Sequence, residues 1–156
     1  MATLAVWQLD SADDASRSAD LLERLVRDDL LVVHDTAVVE WEPGDRRPRT
    51  RPLAGELGAG FWGLLFGLVF FVPLLGAAIG ATTGALAGAL ADVGIDDHFI
   101  NRVRDQVTPG TSALFLLTSE SAVGRVHDAL AELRPTMITT HLADDQEAAL
   151  RAVFGD

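Results

Sequence analysis

Residues 57–91 read LGAGFWGLLFGLVFFVPLLGAAIGATTGALAGALA, an uncharged stretch bounded by Glu56 and Asp92. Its second half carries Gly76, Gly80, Gly84 and Gly88, and its first half repeats the four-residue step with Ala59, Gly63 and Gly67. Each Gly costs on the order of 1 kcal/mol in helix propensity, and a row of them on one helix face leaves a smooth groove for another backbone. Pro73 divides the run into two arms, Leu57 to Val72 and Leu74 to Ala91. At about 1.5 Å per residue each arm reaches about 25 Å, just under a hydrocarbon core of about 30 Å. One continuous helix of about 50 Å would be too long and would end on opposite sides. A helical hairpin that pairs its small-residue faces is therefore expected. Phe61, Trp62, Phe66, Phe70 and Phe71 crowd the first arm and are expected to meet lipid or neighbouring subunits.

Outward from this stretch, residues 3–9 alternate as a strand and Ser11 offers a cap to an amphipathic helix containing Ala15, Ala19, Leu22 and Val26. Residues 30–41 are rich in Val and Leu and read as a strand, interrupted at His34 and Asp35. Residues 42–52 interleave Pro43, Pro48 and Pro52 with Arg46, Arg47, Arg49 and Arg51, which suggests a basic linker. Beyond the apolar stretch come a helix over 92–107, a strand over 112–118, a helix over 121–133, a strand over 136–142 and a helix over 144–154. Without the middle, the order strand-helix-strand repeats. The expected fold is α+β, a ferredoxin-like split β-α-β sandwich with helices on one sheet face and an inserted glycine-zipper hairpin. The organisation follows as 1–52, first half and linker; 53–91, hairpin; and 92–156, connecting helix and second half.

The formal net charge of −11 argues against nucleic acid, whose binding needs a basic face. The chain has no Cys, so disulfides and thiolate metal sites are excluded. Its basic residues are all Arg, which fits codon bias in a GC-rich bacterium, and the N-terminal residues lack the pattern of a signal peptide. The Arg cluster before the apolar run agrees with the positive-inside rule and marks Arg46, Arg47, Arg49 and Arg51 as contacts for lipid headgroups or an acidic partner.

Several polar groups invite a chemical reading and lose it. Asp96, Asp97 and His98, with His34-Asp35 and His127-Asp128, are neighbours in sequence, and neighbours diverge on a strand or a helix. Asp96 and Asp97 read better as acids at a helix N-terminus. Thr108, Thr111, Ser119 and Ser121 lack a nucleophile motif and suit caps and turns. No catalytic residue, cofactor, metal or small-molecule substrate is expected.

The segments Phe61-Trp62-Gly63-Leu64-Leu65-Phe66-Gly67, Phe71 to Gly76, Asp92-Val93-Gly94-Ile95-Asp96-Asp97 and Val107 to Phe115 together resemble the bacterial predicted-membrane-protein family called domain of unknown function twelve sixty-nine. The resemblance implies a membrane-associated bacterial protein with stress-protein-like relatives and names no reaction. The functional expectation is a non-enzymatic homo-oligomer, assembled through Gly63, Gly67, Gly76, Gly80, Gly84 and Gly88. It would sit at the bacterial inner membrane with its folded domain cytoplasmic and lipid as a partner. The alternative is a cytoplasmic, soluble ring or shell with the hairpins buried between subunits.

Overall fold

In a computed structural model, the structure describes residues 2–28, 33–55, 58–71, 90 and 94–154. Strands β1 (Ala2–Leu9), β2 (Val33–Glu40), β3 (Arg49–Gly55), β4 (Ser112–Thr118) and β5 (Thr136–Leu142) form one antiparallel sheet in the order β3-β2-β4-β1-β5. In the centre, Val6 stands opposite Phe115 on one side and Ile138 on the other. Five α-helices accompany the sheet among the described residues: α1 (Asp14–Arg27), α2 (Gly58–Phe66), α3 (Asp97–Gln106), α4 (Glu120–Ala129) and α5 (Asp144–Phe154). A π-helical turn, Gly67–Phe71, continues α2, and a 3-10 turn, Ala131–Leu133, follows α4.

Both faces of the sheet are covered. On one, Ala5, Trp7, Leu9, Leu114 and Leu116 pack beneath Leu22 of α1 and Val123 and Val126 of α4. On the other, Leu4, Val6, Val39, Phe115 and Leu117 meet Trp62 and Phe66 of α2, Phe99 and Val103 of α3, and Leu150 of α5. The expectation of helices on a single face is corrected here. Every residue of β1 and of β4 is buried, so each face of these strands needs a cover.

The basic linker is also corrected. Its second half is β3, an edge strand paired with β2, and Pro52 stands opposite Ala37 beside the register shift at Thr36/Ala37. Proline is tolerated there because an edge strand beside a bulge can spare a ladder N–H.

The larger correction concerns the apolar arm. Among the described residues no helix is long and apolar enough to cross a membrane, which removes the transmembrane helix from the reading. The physical reason is that α2 lies on its own sheet. Phe61, Trp62, Leu65, Phe66, Leu68, Val69 and Phe70 all join the core of the chain. Pro73 and the rest of the second arm as far as residue 89 fall outside the described residues. Leu90 is buried in the same core as Phe70, so the segment between them leaves and returns on one side of the sheet.

Candidate functional site

The arm expected to carry assembly is built around a ladder of rings. Trp62, Phe66 and Phe70 recur every fourth residue, and this spacing stacks side chains along one helix face. Trp62 stacks on Phe66 with centroids 5.6 Å apart, and Phe66 meets the edge of Phe115 at 5.0 Å and 83°. Trp41 closes the far end against Phe70 at 6.0 Å. These rings and Phe61 are spent inside the chain, whereas the expectation placed them against lipid or subunits. The side chain of Phe71 is outside the described residues.

The arm stops where Arg104 of α3 reaches it. The guanidinium donates from Nη2 to the Leu68 carbonyl at 2.7 Å and from Nε to the Val69 carbonyl at 3.0 Å, while Nη1 bonds Asn101 Oδ1 at 3.0 Å. A helix leaves its last carbonyls without intrahelical donors and carries partial negative charge there, so a forked cation is a fitting cap. Sequence reasoning missed Arg104, because its position on an amphipathic helix gives no sign that its partners are backbone oxygens.

Gly63 and Gly67 lie one position beyond Trp62 and Phe66, about 100° further around the helix. Gly63 is exposed and Gly67 half-buried, and a Cβ placed on either would meet nothing within 4 Å. The outward side of α2 is therefore a bare backbone surface flanked by half-buried Leu64. The partners expected in the second arm, Gly76, Gly80, Gly84 and Gly88, fall outside the described residues.

The arginines divide into two groups. Asp45, Arg46, Arg47, Pro48 and Arg49 line an open depression of about 340 Å³ at the β2–β3 turn. The turn is fixed from below, where Trp41 Nε1 donates to the Asp45 carbonyl at 3.0 Å and the Asp45 N–H to the Glu42 carbonyl at 3.1 Å. Arg51 instead faces α1, 3.7 Å from Glu40 and 3.4 Å from Ser16 Oγ. The structure thus keeps Arg46, Arg47 and Arg49 together and separates Arg51 from them.

The remaining polar candidates have local work. Asp96 Oδ1 accepts the Phe99 N–H at 3.0 Å as the α3 cap, and Ser119 Oγ accepts the Ala122 N–H at the start of α4. Thr111 Oγ1 donates to the Thr108 carbonyl in a turn, and Ser121 Oγ lies 3.3 Å from Ser119 Oγ. His127 Nδ1 accepts from buried Trp7 Nε1 at 3.1 Å, and His141 Nδ1 pairs with Thr3 Oγ1 at 3.0 Å. His98 and Asp97 are exposed, Asp35 is buried, and the side chain of His34 is outside the described residues. Among the described residues no group of three His, Cys, Asp or Glu is placed to hold a metal ion. A hydrogen bond and then the charge of the amino terminus hold the Asp144 carboxyl below the usual carboxylate range.

A family model described as "Protein of unknown function (DUF1269)" matches residues 56–155. The chain belongs to that family. The match begins where β3 has just ended and takes in α2, the uncharged stretch, and everything from α3 to the end of α5. It leaves out β1, the strand at the centre of the β4-β1-β5 pairing. No curated protein and no solved structure matches the chain.

Proposed function

We propose that this is a non-enzymatic protein that assembles with copies of itself as a water-soluble ring or shell, burying its uncharged segments between subunits. The observation that carries the reading is the two-sidedness of α2. Its aromatic side is sunk in the chain's own core, and its outward side offers Gly63 and Gly67 with nothing against them. A solvated helix position gains nothing from Gly, whereas close approach of a second backbone requires it. The sequence supplies more of the same pattern in Gly76, Gly80, Gly84 and Gly88. The sheet is proposed to be of the ferredoxin-like kind, with β3 added at its edge. The order β5-β1-β4-β2, with α1 and α4 on one face, supports this.

Light scattering on detergent-free protein tests the assembly. The expected native particle contains more than two 16.6 kDa chains. Gly63→Leu, at a position where the protomer has room for a side chain, should reduce it to two chains or fewer with an unchanged far-ultraviolet dichroism spectrum. A native mass that never exceeds two chains, or a variant of unchanged mass, refutes the reading.

A further inference from the structure

The two edges of the sheet are built in opposite ways. At β3 the chain places Pro52, the exposed Arg49 and Arg51, and a register shift opposite Thr36/Ala37. These are the devices that stop an edge strand from recruiting another strand. At β5 none of them is present. Its sequence TMITTHL has no Pro, Lys, Arg, Asp or Glu, and its residues pair with β1 in unbroken register from Thr136 to Leu142. Seven residues of such a strand offer about 23 Å of ladder.

We propose that the outer edge of β5 pairs antiparallel with β5 of a second copy about a two-fold axis at Thr139, joining two sheets into one of ten strands. A symmetric contact must be self-complementary, because each residue meets its counterpart across the axis. This register sets Thr139 against Thr139, a favourable cross-strand pair, and Met137 against His141. Met137 is 38% exposed in the single chain and gains cover from the pairing. The register also carries charge complementarity. Arg134, exposed and two residues before β5, comes to the end where the partner begins α5 with exposed Asp144 and Asp145, and symmetry repeats the contact. The same operation on β3 would crowd its arginines together.

This contact is separate from the α2 surface, so the two readings fail independently. Sedimentation velocity on the native chain and on Gly63→Leu provides the measurement. Gly63→Leu should show a monomer–dimer equilibrium. Thr139→Lys and Thr139→Glu, each placing like charges on the axis, should each weaken dimerisation at least tenfold. An equimolar mixture of the two should restore it. Arg134→Glu should weaken it severalfold, and Met137→Lys, at a side chain already in solvent, should weaken it without lowering the melting temperature. The proposal is overturned if the Thr139 variants, folded by dichroism, dimerise like their parent, or if their mixture fails to recover. A strictly monomeric Gly63→Leu overturns it as well.

Discussion

Phe66→Ala separates an arm that belongs to the core from one that belongs to a surface. Phe66 is 1% exposed, stacks on Trp62, meets Phe115 edge-on, and lies 6.1 Å from Phe70. Truncating a buried Phe removes its transfer free energy and leaves a cavity, which together cost about 4 kcal/mol. Three ring contacts are lost with it, each worth about 1 kcal/mol beyond area, and the rigid sheet beneath Phe115 limits how far the gap can close. With a urea slope of about 2 kcal/mol/M the midpoint should fall by about 2 M. The fluorescence of Trp62, beside the deletion, reports the transition alongside far-ultraviolet dichroism. Self-association also shifts apparent stability, so the titration belongs at several protein concentrations. A core effect is the same at each. A midpoint shift below about 0.5 M, or one confined to concentrations at which the chain assembles, would show that the ring does its work between molecules.

Arg104→Met keeps the aliphatic stem of the side chain and deletes its donors to the Leu68 and Val69 carbonyls. Charge-assisted bonds of this kind are each worth about 2 kcal/mol, so amide exchange over residues 67–71 should accelerate by at least tenfold. Arg104→Lys should recover little, because one ammonium cannot reproduce the fork; full protection in either variant would refute the cap. For Asp144 the sign follows from its lowered folded-state pKa. Its contribution is present above the ordinary carboxylate value of 3.8 and is lost as pH falls through the lowered folded value. Acetylating the amino terminus should therefore leave stability at pH 2 unchanged and reduce it slightly at pH 6; equal curves at both would exclude the pair.

Much of the scaffold is legible in the residues. Residues 112–118, 136–142 and 144–154 carry the strand and helix signals at the boundaries the fold adopts. The covering of both faces was legible too, in a sign easily passed over. Leu4 and Val6 alternate with Ala5, Trp7 and Leu9, so β1 is apolar on both sides, and Phe115 and Leu117 alternate with Leu114 and Leu116 in the same way. A strand apolar on both sides calls for two covers, and the uncharged arm was the material for the second. Residues 49–55 misled because proline signals a break in a central strand, whereas an edge strand tolerates it. Arg104 could not be found from its own surroundings. Its two carbonyl partners lie 35 and 36 residues away in the chain and become neighbours only when α3 crosses the π-turn.

Apolar composition alone could not decide between bilayer and sheet, because lipid chains and a bare sheet face attract the same rings. The difference lies in what the rest of the helix must do. A helix buried on one side in water ordinarily turns charged residues outward, since Glu, Gln and Arg are good helix formers that solvate well. α2 turns Gly63 and Gly67 outward. If that side faced only water, each glycine would cost about 1 kcal/mol of helix propensity for no return, and a polar residue would serve better. Reduction of exposed apolar area does not explain the choice either, because a charged side chain would achieve it without loosening the helix. Close approach of another backbone does explain it. The aromatic volume is placed where the chain needs filling, and the bare backbone where the reading requires a partner. A Gly63→Gln variant makes that argument quantitative: on a solvated side it should raise the melting temperature, and on an assembled side it should lower the particle mass.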